Sequence, residues 1–185
     1  MRAYLRKEAL GFGEGLRPVI FLDRDGVINK RMPMHCHVLC EDDLEILPDV
    51  YEAVSIINEK GYISIVVTNQ RCIALGTLDE AGFYGINDRM ISDLSSCGAF
   101  VDGVYYCPHD GSDGCSCRKP GTGLFEEAES DLEALGITID RQHSWMVGDE
   151  DTDIEAGGRY GVNTVKIGEK VPDLLAAVRM ITGKQ

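Results

Sequence analysis

Two aspartates stand two apart in FLDRDGVIN, where the apolar run Val19–Leu22 delivers Asp23 and Asp25 and Gly26 lets the chain turn sharply away. Carboxylates crowded in this way repel one another unless a cation neutralises them or one of them keeps a proton. Both outcomes serve phosphoryl transfer, because an ionised carboxylate is a ready nucleophile and a protonated one is an acid for the leaving group. Alone, such a pair is more often a solvated or capping turn, so its companions decide the matter. IVVTNQ ends in Thr68, whose hydroxyl suits a phosphate oxygen, with Asn69 and Gln70 beside it as substrate-binding candidates. CRKPG offers Arg118, another substrate-binding candidate, and Lys119, a cation able to neutralise both the nucleophile and the phosphate. WMVGDEDTDI places Asp149 directly after a short strand and Asp153 four residues, about one helical turn, later. An anion attacking a phosphate dianion must be screened, which makes a metal and a lysine the required companions of Asp23.

A second constellation lies between these motifs. CPHDGSDGCSC sets Cys107, His109, Cys115 and Cys117 close together, three thiolates and an imidazole, enough for a closed tetrahedral zinc site with a structural role. Seven cysteines cannot all pair within one chain, so a reducing, cytoplasmic setting is expected. His35, Cys36, His37 and Cys40 in KRMPMHCHVLC are weighed as a second metal site and read instead as incidental residues of a mobile loop. His143 reads as a surface residue before a strand.

Regular elements must carry these groups. After Val19–Leu22, the residues Val50, Ala53, Val54 and Ile57 recur at helical spacing, with Pro48 suited to a first turn and Gly61 to a C-terminal cap. Residues 63–67 read as a buried strand, and Thr77 with Glu80 as a capping box opening the next helix. Residues 101–106 suit a third strand, Leu124, Ala128, Leu132 and Leu135 line one helical face that Gly136 ends, and 145–147 and 162–167 suit two further strands. This alternation predicts an α/β fold, a parallel sheet covered by helices on both faces, with every motif beyond the carboxyl end of a strand. Gly11, Gly13 and Gly15 mark residues 1–17 as a loosely attached leader to one domain over 18–185. A formal net charge of −13 and a pI of about 4.6 oppose nucleic-acid and anionic-membrane partners, and no run of about 18 apolar residues is present.

The four motifs, in this order and each at a strand end, resemble the haloacid-dehalogenase (HAD) superfamily of phosphatases over roughly residues 18 to 170. The resemblance implies a Rossmann-like three-layer fold without a large cap domain. It implies Asp23 as nucleophile, Asp25 as acid and then base, and Thr68 and Lys119 on the phosphoryl group. It also implies magnesium between Asp23, the backbone carbonyl of Asp25 and Asp149, with Asp153 in support. DRDGVIN, VVTNQ, DGVYYCPH and CSCRKP are similar to stretches of the D-glycero-D-manno-heptose 1,7-bisphosphate 7-phosphatases and the related histidinol phosphatases, a subgroup that carries such a zinc loop. A phosphorylated sugar is therefore the expected substrate. Histidinol-phosphate hydrolysis, or a non-catalytic phosphate-binding role, is the alternative. The departures fall in the specificity loops: Arg71, Cys72 and their neighbours stand where the heptose enzymes carry a Ser-Gly-Ile-Ala-Arg-Gly run, and Glu150 stands where they commonly carry lysine. Arg71 is expected to restore the charge lost at Glu150, and Arg118 to read a second substrate group.

Overall fold

A strand with no polar residue on either face is satisfied only between two others and under helices on both sides. In the computed structural model, which describes residues 1–7, 15–33 and 37–183, Val19–Leu22 is such a strand and is wholly buried. The strands are β1 (Arg2–Leu5), β2 (Gly15–Arg17), β3 (Val19–Leu22), β4 (Ile63–Asn69), β5 (Gly103–Cys107), β6 (Ile137–Ile139), β7 (Trp145–Gly148) and β8 (Asn163–Lys166). Six of them form a sheet in the order β1-β5-β4-β3-β7-β8, parallel throughout except for the antiparallel edge strand β1. β2 and β6 form a separate parallel pair.

The helices are α1 (Val50–Glu59), α2 (Arg71–Ala74), α3 (Glu80–Ser96), α4 (Gly123–Glu133), α5 (Asp151–Tyr160) and α6 (Leu174–Thr182). Alternate residues of β3 feed opposite cores, as a strand's period of two requires. Ile20 and Leu22 pack with Val54 and Ile57 of α1, Phe83 of α3 and Val178 of α6. Val19 and Phe21 pack with Phe125 of α4 and Tyr160 of α5, the Phe21 and Phe125 rings lying 4.8 Å apart. Each such side chain contributes about 1.5–3 kcal/mol by leaving water, so both faces hold the sheet. The Rossmann-like expectation is met. The chain steps from β3 to β4 and β5 on one side and later to β7 on the other, so a crevice opens at the carboxyl end of β3, where the direction of winding changes.

Two expectations are corrected. Residues 2–5 are not loosely attached: they pair with β5, Arg2 opposite Tyr105 and Leu5 opposite Gly103, and Arg6 lies 3.4 Å from the Asp102 carboxylate. The α3 N-cap is Asp79, whose side chain accepts from Gly82 N at 2.8 Å, while Thr77 instead donates to the carbonyl of Cys72. β6, α2 and α6 are elements that the sequence reading did not name. No helix among the described residues is long and apolar enough to cross a membrane.

Candidate active site

β3 ends at Leu22, and its direction throws Asp23 into the crevice, where Asp23 N is held by the carbonyl of Val147 in β7. The chain then coils tightly: the carbonyl of Arg24 accepts from Ile28 N and Asn29 N, and Gly26 takes a φ of +98°. A Cβ on Gly26 would overlap the Asp149 carboxylate, so glycine is required both for the turn and for that approach. Asp25 points to one side of this turn. Its carboxylate accepts from Arg24 (3.1 Å to each oxygen), Asn29 (3.0 Å) and Gln70 (2.9 Å). Burial alone would raise the Asp25 carboxyl, but Arg24 and these hydrogen bonds outweigh it and hold the group below its ordinary range.

Lys119 arrives from the segment ahead of α4 and is almost fully buried. Its ammonium donates to Asp23 Oδ1 and to the carbonyl of Val67, each at 2.7 Å, and lies 2.7 Å from Asp153 Oδ1. The segment is clipped in place by Asn69, whose amide donates to the Lys119 carbonyl and accepts from Lys119 N. Burial opposes the charge on Lys119, yet Asp23 and Asp153 together outweigh it and raise its pKa. Asp23 goes the other way. Burial pushes its carboxyl up to about 7 against the pull of Lys119, and Asp153 and Asp25 add to the rise.

Oxygen atoms of Asp23, Asp149 and Asp153 lie within 4.8 Å of one another. Hard oxygen donors in an acidic crevice, with Asp149 also raised by burial, suit a small divalent cation. The Asp25 carboxylate is not in this set, whereas Asp153, expected only in support, is. A cavity of about 260 Å³ opens over the group, lined by Asp23, Asp25, Arg31, Thr68, Asn69, Arg118, Lys119, Glu150, Thr152 and Asp153. An adjoining cavity of about 350 Å³ shares Asn69, Arg118, Lys119 and Thr152 and is walled by Asp110, Gly114 and Cys115.

The ligand atoms of Cys107, His109, Cys115 and Cys117 also gather within 4.8 Å, Cys107 and Cys117 sulfurs 3.2 Å apart and His109 Nδ1 3.2 Å from Cys117. This cluster could hold a metal ion. Burial and the neighbouring thiols push the Cys107 thiol up. β5 delivers Cys107, and Arg118 donates to the carbonyl of His109 at 3.2 Å, so the cluster adjoins the catalytic segment.

The crevice therefore brings together Asp23, Asp25, Thr68, Asn69, Arg118, Lys119, Asp149, Glu150 and Asp153. Two substrate-binding candidates stand back from the cavity walls. Gln70 is buried behind the cavity, donating to Asp25 and Thr68, and Arg71 pairs with Asp110 at 2.6 Å and lines neither cavity. Arg24, Asn29 and Arg31 went unnoticed in the sequence. The one signal for Arg24 is a cation set between two aspartates just past a fully apolar strand. His143 is exposed ahead of β7, as expected, while His35 and Cys36 lie outside the described residues.

The HAD-hydrolase-like family model matches residues 116–177. The D-glycero-beta-D-manno-heptose-1,7-bisphosphate 7-phosphatase of Vibrio cholerae serotype O1 is 38% identical over 155 residues, spanning 80% of this chain and 79% of its own. A probable D-glycero-D-manno-heptose-1,7-bisphosphate 7-phosphatase of Thermoplasma acidophilum is 42% identical over 132 residues, 71% of this chain and 78% of its own. Among solved structures, the D,D-heptose 1,7-bisphosphate phosphatase of B. bronchiseptica, complexed with magnesium and phosphate, aligns at a TM-score of 0.75 with 26% identity, covering 91% of this chain and 99% of that one.

Proposed function

Because this chain belongs to the HAD-like phosphatases, in the group that contains the heptose-bisphosphate 7-phosphatases, we propose that it removes the 7-phosphate of D-glycero-D-manno-heptose 1,7-bisphosphate through an aspartyl-phosphate. The observation that carries the reading is the contact of the buried Asp23 carboxylate with Lys119 at the winding reversal, beneath a cavity lined by Thr68 and Asp25. Asp23 attacks phosphorus, the bond to the sugar oxygen breaks, and Asp25 gives that oxygen its proton. Water then attacks the phosphorus of the aspartyl-phosphate and Asp25 takes its proton, releasing phosphate and regenerating Asp23. The grip of Arg24, Asn29 and Gln70 favours ionised Asp25, the form the second half requires. The proton needed for the first half is taken up against that grip.

Thr68 and Lys119 hold the phosphoryl oxygens, with Asn69 fixing the lysine's segment. Asp23, Asp149 and the Asp25 backbone would hold magnesium, which supplies positive charge against the phosphoryl oxygens when bound. The three thiols and His109 would hold a structural zinc that fixes the segment bearing Arg118 and Lys119.

The test is phosphate release from heptose 1,7-bisphosphate, histidinol phosphate and simple sugar monophosphates at matched concentrations with magnesium, together with acid-quench mass spectrometry. The expected result is a preference for the bisphosphate and a phosphate trapped on Asp23. Trapping on another residue overturns the mechanism, and a preference for histidinol phosphate overturns the substrate.

A further inference from the structure

The cations lining the cavity are not equivalent. Lys119 is buried and committed to Asp23 and Asp153, and Arg118 is half-buried against the carbonyl of His109. Arg31 is different: 47% of its side chain is exposed, and it reaches across the crevice from the β3 side to the start of α5. There it pairs with Asp149 at 3.2 Å and with Glu150, whose side chain is 51% exposed. Glu150, Arg31, Asp23 and Thr68 line one cavity. An anion entering it therefore meets Glu150 already matched by a guanidinium.

We propose that Arg31 is a specificity-determining residue that reads a second anionic group of the substrate, and that Glu150 holds its guanidinium at the cavity mouth until that group takes its place. The proposal deepens the sugar-bisphosphate reading and rests on it. A half-exposed arginine–carboxylate pair is weak because water screens it, so exchanging the carboxylate for a phosphate is inexpensive. A phosphate dianion can take both arms of the guanidinium at once, whereas here one arm meets Glu150 and the other Asp149. The cation is in this way supplied from the loop after β3, and the negative charge of Glu150 becomes a holder instead of an obstacle. Arg118 stands on the other wall, shared with the second cavity, and brackets the same space.

The experiment compares kcat/KM for heptose 1,7-bisphosphate and heptose 7-phosphate in wild type, Arg31→Ala, Arg31→Lys and the exchanged double variant Arg31→Glu with Glu150→Arg, each checked for folding by circular dichroism. Arg31→Ala should lower the bisphosphate-to-monophosphate ratio by about tenfold or more, chiefly through KM, the loss expected for one charge-assisted contact. Arg31→Lys should recover part of the ratio, and the exchanged pair more than Arg31→Ala, because a cation again stands at the mouth. A wild type that prefers the bisphosphate while Arg31→Ala falls by less than tenfold overturns this proposal alone. A wild type with no such preference overturns the substrate reading itself.

Discussion

Asp23 is an ordinary residue type made unusual by its surroundings. Burial raises its carboxyl to about 7 in the folded protein, above its ordinary value, despite Lys119 2.7 Å away. A folded-state pKa above the unfolded one means that the group favours folding fully at pH below its ordinary carboxylate pKa, and that this contribution is lost as pH rises through about 7. Asparagine in its place cannot ionise. In magnesium-free buffer Asp23→Asn should therefore melt roughly 3–8 °C above wild type at pH 8, with the gap closing by about pH 4, while turnover is abolished. Thermal melts across that range check it, and a variant that melts at or below wild type at pH 8 contradicts the account. Asp23, Asp25, Lys119 and Asp149 were legible because each stands next to an apolar strand or beside a Pro-Gly turn. Arg24, Asn29 and Arg31 were not, because their meaning lies in partners distant in sequence: Gln70 shares the Asp25 carboxylate with Arg24 and Asn29, Phe83 lies 5.7 Å from Arg24, and Glu150 holds Arg31.

Among the elements, the long buried strands and the helices with clear apolar faces were readable because each carries its own periodicity. β6, with three residues, and α2, with four, are too short to show one, and β1 is fixed by pairing with β5, which lies about a hundred residues away. The start of α5 shows how one element serves two ends. Asp153 Oδ2 accepts from Glu150 N at 3.0 Å as part of a capping box, while Oδ1 meets Lys119, so the helix entry and the Lys119 ammonium are fixed together. The loop after β5 has no such regular element to stiffen it. Between Cys107 and Lys119 it holds a single short turn at Gly111–Asp113, and its closure falls to the thiols and His109. Purified protein should carry about one zinc per chain, and Cys117→Ser should lower both zinc content and melting temperature, the latter by on the order of 10 °C. The accompanying loss of kcat/KM should reside mainly in KM, as Arg118 loses its anchor on His109. Elemental analysis and melting curves decide it; unchanged stability in a zinc-free variant would make the cluster incidental.

At the scale of the molecule, the proposed catalytic groups gather at the carboxyl ends of the inner strands β3, β4 and β7, with Lys119 brought in from the segment ahead of α4, while one end of the sheet is closed by β1. A parallel sheet must guard its outer strands against pairing with other chains. β5 would be such an edge, buried along its length and apolar apart from its tyrosine hydroxyls, if residues 2–5 did not cover it. The cover is pinned electrostatically as well as by its ladder. Arg2 meets Asp131 at 2.8 Å, Asp131 also accepts from the Tyr105 hydroxyl, and Arg6 approaches Asp102, which in turn accepts from Ser64 N and Ser64 Oγ in β4. Burial raises the Asp102 carboxyl, against the pull of Ser64 and Arg6, so losing Arg6 leaves a buried carboxylate less compensated. Deleting residues 1–6 should then lower the melting temperature by several degrees and increase light scattering on heating, as β5 becomes an open edge. Because β5 also delivers Cys107, zinc should be released faster to a chelator. The folded fraction should keep its turnover, since neither β1 nor Arg6 touches the crevice at β3. Equal melting and scattering in the truncated and full-length proteins would mean that β1 is a passive strip. Loss of turnover in protein that still melts like wild type would mean that it reaches the active site by a route the sheet does not provide.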